Sequence, residues 1–324
     1  MAGRDIIVMG ASAGGISALR TILSSLPWDL RASIFIVLHS TEDSPGFLPE
    51  ILNRKSKLPV LYSVHDAPVL PGRVYIARPG ITHMVLERGR VRLVPGPREN
   101  RHRPSVDALF RSAAVAYGSR VVGVVLTGNL DDGSLGLAEI KQRGGMAIVQ
   151  DPSDAQAPSM PMSALENVDV DFTLSAAEIG ARLVELVSEI PQPGVVEFPL
   201  QAFEATGQPY SCPECDGVLE EVEEGGMVRF RCRVGHVYSP ESLHADMNVS
   251  VERALWTAIR VLEEHADFSA RLAARFVRKE RQSLADRFSE KSKVSMEDAS
   301  VLRNLLVRSA QEVLEEPEQE KTGT

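Results

Sequence analysis

The first 190 residues alternate between short apolar runs and longer amphipathic stretches. Ile6–Met9, Ser33–Leu38, Val121–Leu126 and Met146–Val149 are continuous runs rich in Val and Ile, the pattern of strands buried on both faces of a parallel sheet. Between them lie segments long enough for crossover helices. Ile16, Leu19, Leu23 and Leu26 recur at helical spacing, which predicts a helix directly after the first strand. Ile179, Leu183, Leu186 and Val187 predict a closing helix over 176–190. The alternation is that of an α/β fold, a doubly wound, mainly parallel sheet over 1–190. From Pro59 to Val94 the pattern is broken by Pro68, Pro71, Gly72, Pro79 and Gly80, which predicts a β-hairpin-like excursion from the sheet.

Pro191, Pro193, Gly194, Pro199, Gly207 and Pro209 then mark a linker over 191–209 that cannot form one helix. A compact module is expected over 210–245. Val251, Leu255, Ile259, Leu262, Ala266, Leu272 and Phe276 step by helical intervals, and Val301, Leu305 and Leu306 mark a second helix beyond a break at Ser289–Ser295. These predict a helical hairpin or coiled coil over 246–314. Its apolar faces serve either packing within the chain or self-association and binding of a signalling partner. Residues 315–324 are polar and are expected to fray.

A chain of 324 residues, 44% of them hydrophobic, has enough apolar material for one full domain and smaller modules. The net charge of −9 argues against general affinity for nucleic acid or anionic membranes. With no basic-flanked apolar leader and no stretch long enough to span a bilayer, the expected location is the cytoplasm.

The candidate chemistry begins at Gly10-Ala11-Ser12-Ala13-Gly14-Gly15, a small-residue turn between the first strand and its helix. Such an elbow exposes a hydroxyl beside free backbone N–H groups able to stabilise an oxyanion. Two other readings of the turn stand beside the nucleophile. A dinucleotide-binding turn requires glycine where Ser12 stands, with an acidic residue ending the second strand, and a purely structural turn would also favour small residues. A nucleophilic serine needs a base and an orienting carboxylate. His39 follows the second predicted strand, and Asp131 and Asp132 follow the third, so all lie on the carboxyl edge where open parallel sheets bind ligands. Spacing alone does not choose between the two aspartates.

Cys212-Pro213-Glu214-Cys215, sixteen intervening residues and Cys232-Arg233-Val234-Gly235-His236 place four ligand-type residues as two close pairs. The spacing is that of a zinc ribbon in which Cys212, Cys215, Cys232 and His236 close a tetrahedral structural site. All three cysteines of the chain fall at these positions.

Six ordered blocks carry a resemblance. They are the Ser12 turn, Val37-Leu38-His39, Val74-Tyr75-Ile76-Ala77 with Pro79 and His83, Arg103-Pro104-Ser105-Val106-Asp107-Ala108-Leu109-Phe110, Leu126-Thr127-Gly128 with Asp132-Gly133, and Gln150-Asp151 with Met160-Pro161. Over about residues 5 to 187 the chain resembles the catalytic domain of the CheB-type protein-glutamate methylesterases of bacterial chemotaxis. The resemblance implies hydrolysis of glutamyl methyl esters on the helical cytoplasmic region of a chemotaxis-type receptor, with methanol released, and deamidation of receptor glutamines in some members. It implies Ser12 as nucleophile, His39 as general base and then acid, Asp132 as orienting carboxylate, and no cofactor for catalysis. Two departures stand out. Asn129-Leu130 replaces the family's usual Met-Gly in the loop whose backbone amide lines the oxyanion hole, and Ser40 replaces a methionine after the histidine. The Leu130 change and the expected lack of a receiver domain support a competing expectation, a non-catalytic receptor-binding scaffold. Phe230 to Ser239, with Ala254-Leu255-Trp256, resembles an extension found on some stand-alone members.

Overall fold

The computed structural model describes residues 3–40, 46–189, 210–224 and 226–315, with side-chain surroundings through 307. The linker assigned to 191–209 and the tail from 316 onward lie outside the described residues. In chain order the elements are β1 Ile6–Ala11, α1 Gly15–Ser25, β2 Ser33–Leu38, α2 Leu48–Asn53, β3 Val60–Tyr62, β4 Arg73–Ile76, β5 Thr82–Glu87, β6 Arg90–Pro95, α3 Val106–Tyr117, β7 Val121–Val125, α4 Ser134–Gln142, β8 Met146–Gln150, α5 Ser159–Asn167, β9 Phe172–Leu174 and α6 Ala176–Ser188. There follow β10 Tyr210–Ser211, β11 Val218–Glu224, β12 Met227–Cys232, β13 Val237–Tyr238, α7 Pro240–Val277 and α8 Gln282–Glu315.

Seven strands form a parallel sheet in the order β3-β4-β2-β1-β7-β8-β9. Alternate residues of each strand enter opposite cores. Ile7, Met9, Ile34 and Ile36 pack with Leu19, Ile22 and Leu23 of α1 and Ile179, Leu183 and Leu186 of α6. Ile6, Val8, Phe35 and Val37 pack with Leu109 and Phe110 of α3, Leu137 and Ile140 of α4, and Met160 of α5. With both faces covered, the strands need no polar side, which is why they read as unbroken apolar runs. On α1 the spacing misassigns one residue: Ile16 is 41% exposed and Ile22 is fully buried. The excursion expected over 59–94 also resolves differently. Only β5 and β6 form an antiparallel hairpin, whereas β3 and β4 join the main sheet in parallel. Strands of three and four residues flanked by turns carry too little periodicity to be assigned to a sheet.

The strand order reverses about β1, where β2 lies on one side and β7 on the other. Loops leaving the carboxyl ends of these strands therefore face a common crevice.

The chain divides into two compact units, 1–244 and 245–324. The cysteine module, β10-β11-β12-β13, is an antiparallel sheet within the first unit. In the second unit, α7 and α8 pack as an antiparallel pair. Ile259, Ala266, Ser269 and Ala273 of α7 and Ala285, Ser295, Ala299 and Leu306 of α8 are buried. The break falls at 278–281, not at Ser289–Ser295, where α8 is continuous. The polar run misleads because two of its three serines belong to the seam: Ser292 Oγ donates to Ala266 O at 2.8 Å, and Ser295 Oγ lies 2.8 Å from His265 Nδ1. No described helix is long and apolar enough to cross a membrane.

Candidate functional site

Register places the first two candidates side by side. Ala11 and Leu38 are partners across β1 and β2, so Ser12 and His39 leave adjacent strands together, with strands roughly 5 Å apart. The His39 amide donates to Ala11 O at 2.9 Å, which ties it to the end of β1, and that of Ser12 donates to Thr127 O at 2.9 Å, which ties the serine to the loop after β7. Gly14 then takes φ 78, a left-handed conformation natural to glycine, and α1 starts at Gly15. At Gly128 a Cβ would lie 2.8 Å from Ser12 Cβ and strike the Met160 side chain, so only glycine lets the loop approach the serine. Among the described residues, the amides of Ala13 and Asn129 find no acceptor.

His39 Nε2 lies 2.8 Å from Asp132 Oδ2, with the two side chains 4% and 2% exposed. His39 Nδ1 is buried and has no hydrogen-bond partner among the described residues. Against an ionised carboxylate, Nε2 carries the proton, which leaves the Nδ1 lone pair free to act as a base. The His102 ring stacks on His39 with centroids 3.5 Å apart and planes 8° from parallel. Burial, reinforced by the charge of His39, lowers His102 to about 4, so it stays neutral near pH 7.

Asp132 accepts five hydrogen bonds. Oδ2 receives His39 Nε2–H and the Val106 amide at 2.7 Å, while Oδ1 receives Asn100 Nδ2 at 3.0 Å, Ser105 Oγ at 2.9 Å and the Asp107 amide at 3.1 Å. Burial opposes ionisation, but the donors and the neighbouring histidines outweigh it and hold the carboxyl well below the usual carboxylate range. Its position at the N-terminus of α3 adds the helix dipole. Asp107 reciprocates by accepting the Gly133 and Gly136 amides at 3.0 and 2.8 Å at the start of α4. Burial pushes Asp107 up, the Arg229 guanidinium pulls it back, and the carboxylates of Asp132 and Glu99 push it up again, to about 7. Asp131 faces elsewhere: its Oδ1 accepts Ser242 Oγ at 3.0 Å.

Sequence reasoning thus placed Ser12, His39 and Asp132 on one edge, and the structure brings His39 and Asp132 into contact beside the Ser12 turn. It missed His102, Asn100, Ser105, Asp107 and Arg229. Ser105 and Asp107 sat in a recognised block whose individual roles no spacing disclosed. Arg229 had no signal at all, being one basic residue on a short strand.

In the cysteine module, Cys215 Sγ lies 3.6 Å from Cys232 Sγ, and His236 Nδ1 lies 3.6 and 3.4 Å from Cys212 and Cys232 Sγ. Four ligand atoms fall within 4.8 Å of one another. A tetrahedron with Zn–S of about 2.3 Å and Zn–N of about 2.0 Å has edges of about 3.8 and 3.5 Å, so the donor set fits a tetrahedral ion. The thiols are free, and the 3.6 Å between Cys215 and Cys232 Sγ is well beyond the bonded S–S length of about 2.05 Å. Tight turns shape the site, with the Asp216 amide on Cys212 O and the Gly235 amide on Cys232 O, both at 2.9 Å. Glu214 Oε2 stands 3.7 Å from His236 Nε2, where it supports the ring from behind.

A buried His–Asp pair beside a strand-to-helix serine, at the switch point of a doubly wound sheet, is an arrangement of the kind serine hydrolases use. The family model for the CheB methylesterase matches residues 7–183. The chain belongs to the CheB methylesterase family. It is 38% identical over 183 residues to a Leptospira interrogans protein, named provisionally as a protein-glutamate methylesterase/protein-glutamine glutaminase, covering 56% of this chain and 94% of that protein. It is also 38% identical over 189 residues to protein-glutamate methylesterase/protein-glutamine glutaminase 1 of Xanthomonas oryzae pv. oryzae, covering 57% of this chain but only 52% of that protein. The crystal structure of the Thermotoga maritima CheB methylesterase catalytic domain superposes with a TM-score of 0.54 at 35% identity, covering 57% of this chain and all of that one. The cysteine module and the helical pair lie beyond the matched residues.

Proposed function

We propose that the chain hydrolyses glutamyl methyl esters on the cytoplasmic helical region of a chemotaxis-type receptor, with Ser12, His39 and Asp132 as a catalytic triad. The observation that carries the reading is the His39–Asp132 contact beside the Ser12 turn, within a CheB methylesterase domain. Ser12 Oγ attacks the ester carbonyl carbon while His39 Nδ1 takes the hydroxyl proton. The carbonyl oxygen becomes an oxyanion, and the amides of Ala13 and Asn129 are the available donors for it. As the intermediate collapses, the C–O bond to methoxide breaks and His39 delivers its proton, so methanol leaves and an acyl-Ser12 remains. Water then attacks with His39 as base, releasing the glutamate carboxylate and Ser12. A glutamine side chain in the same position would release ammonia. Asp132 keeps the proton on His39 Nε2 and stabilises the imidazolium formed in each half-reaction. Such a substrate places the protein in the cytoplasm.

Cys212, Cys215, Cys232 and His236 are proposed to hold one structural zinc ion, whose chemistry is to cross-link two turns of a module with little core of its own. Four protein ligands leave no open coordination position.

The test is methanol release from membranes bearing methyl-labelled receptor. The wild type is expected to release label, and Ser12→Ala to reduce release by ~10⁴-fold or more. Equal release from both refutes Ser12 as nucleophile.

A further inference from the structure

The cysteine module reaches into the esterase centre. Arg229 on β12 is only 2% exposed, buried against groups that themselves hold Asp132. One guanidinium nitrogen donates to Asn100 Oδ1 at 2.9 Å, and the other to Asp107 Oδ2 at 2.6 Å and Glu99 Oε1 at 3.3 Å. Asn100 Oδ1 also accepts the Ser239 amide at 3.2 Å. With two donors from the module on its oxygen, the Asn100 amide has one orientation, and its Nδ2 points to Asp107 Oδ2 at 2.8 Å and Asp132 Oδ1 at 3.0 Å. The backbones are joined too, since the Asn100 amide donates to Val237 O at 2.9 Å.

Charge leads to the same residue. Glu99, Asp107 and Asp132 are three buried carboxylates within one network. Arg111 answers Glu99 with a bidentate pair at 2.9 and 2.8 Å, Asp132 is met by five hydrogen-bond donors, and the cation on Asp107 is Arg229. Removing one partner of such a buried set leaves uncompensated charge, which the site relieves by moving or by protonating Asp107.

We infer that Arg229, supplied by the cysteine module, is a positioning residue for the esterase centre, setting Asn100 and Asp107 so that they hold Asp132 against His39. The inference rests on the triad reading above. It makes the module a component of the hydrolase and not an independent appendage, although Arg229 lies outside residues 7–183, which the family model matches.

The experiment compares full-length wild type, Arg229→Met, Arg229→Lys and Arg98→Ala. Arg98 pairs with Glu214 on the exposed part of the same interface and serves as the control for general loosening. Two quantities are read: kcat and KM for ester hydrolysis, and the low-field proton resonance of the His39 Nε2–H···Asp132 bond. Arg229→Met is expected to lower kcat about 10²-fold with KM little changed, as for a sub-ångström to 1 Å misplacement of a catalytic group. The resonance should shift or broaden, Arg229→Lys should recover part of kcat, and Arg98→Ala should match the wild type. Wild-type kcat with an unchanged resonance in Arg229→Met overturns the inference, as does an equal loss in Arg98→Ala. If Arg229→Met does not fold, Arg229→Lys decides, an intermediate kcat supporting the inference and a wild-type value overturning it. If the wild type shows no Ser12-dependent hydrolysis, the esterase reading has failed. The resonance alone then decides, a shift in Arg229→Met supporting the inference and no change overturning it.

Discussion

Asp132→Asn separates the two neighbouring aspartates and tests the geometry of the base. The substituted amide has two orientations. With its oxygen at the Oδ2 position it still accepts His39 Nε2–H and the Val106 amide, but its NH2 then faces two obligate donors, Asn100 Nδ2 and the Asp107 amide. Ser105 Oγ can rotate to accept and is not stranded. With the NH2 at the Oδ2 position the Val106 amide is the one donor around the carboxylate left stranded, His39 Nδ1 being unpartnered in either orientation, and the new N–H points at His39 Nε2. Each stranded buried donor costs about 1–3 kcal/mol, so the second orientation is favoured by one donor, roughly 5- to 150-fold in population. That orientation makes His39 Nε2 an acceptor and puts the proton on Nδ1, the nitrogen that has to receive the Ser12 proton. The wrong tautomer, together with the loss of negative charge opposite the imidazolium, is expected to lower kcat ~10⁴-fold, with KM changing far less. Steady-state hydrolysis of methylated receptor measures it, and urea titration confirms that the variant is folded at the assay temperature. Asp131→Asn, whose carboxylate faces Ser242, should remain close to wild type. An Asp132→Asn enzyme within about tenfold of wild type, or an Asp131→Asn enzyme equally crippled, refutes the assignment.

His102 predicts a pH signature. Its folded value of about 4 lies below that of an unfolded histidine, so between these values the unfolded chain binds more protons and the stability contributed by neutral His102 is lost as pH falls. The linkage amounts to about 3 kcal/mol between pH 6.5 and 4. Asp107, raised to about 7, works in the opposite sense, since it contributes stability at low pH that is lost as pH rises. The diagnostic is therefore the difference in urea-unfolding free energy between wild type and His102→Gln, which should shrink by that amount as pH drops; a pH-independent difference excludes a histidine held neutral. For the cysteine module, one equivalent of zinc per chain is expected in purified protein, lost in Cys212→Ser with Cys232→Ser. Unchanged metal content in the double variant contradicts the ligand set.

The sheet was legible because strands covered on both faces leave uninterrupted Val and Ile runs, and the edge location of Ser12, His39 and Asp132 followed from chain order alone. What stayed hidden is of two kinds. Short strands such as β3 and β4 are specified by neighbours and not by their own pattern, and the seam of α7 and α8 uses Ala and Ser, whose small size packs well but carries little hydropathy. The support of Asp132 was hidden for a different reason. Asn100, Ser105, Asp107 and Arg229 act through the direction of hydrogen bonds, and three of the four come from one loop and helix start while the fourth lies more than a hundred residues away. No periodicity records such a meeting.

Leu130 shows how a departure in sequence is absorbed in structure. It stands where the family usually has glycine, and the objection to catalysis was that a side chain would turn the oxyanion loop away from Ser12. The structure keeps the left-handed backbone instead: Leu130 has φ 62. For a leucine that conformation costs about 1–2 kcal/mol, and it persists only where surrounding contacts over-determine it. Those contacts are present on both sides. Ser159 Oγ donates to Leu130 O at 3.3 Å, the Gly128 amide and carbonyl are tied to Ala157 and Met160 at 2.9 Å, and Asp132, two residues on, is held by five donors. The loop is thus anchored by the same carboxylate that orients His39. Leu130 and Asp132 are two residues apart in one turn, so the strained backbone lies beside the carboxylate that the buried network holds. The left-handed backbone that glycine would favour is thus kept with leucine in place, so the loop path on which the proposed Asn129 oxyanion donor depends survives the change.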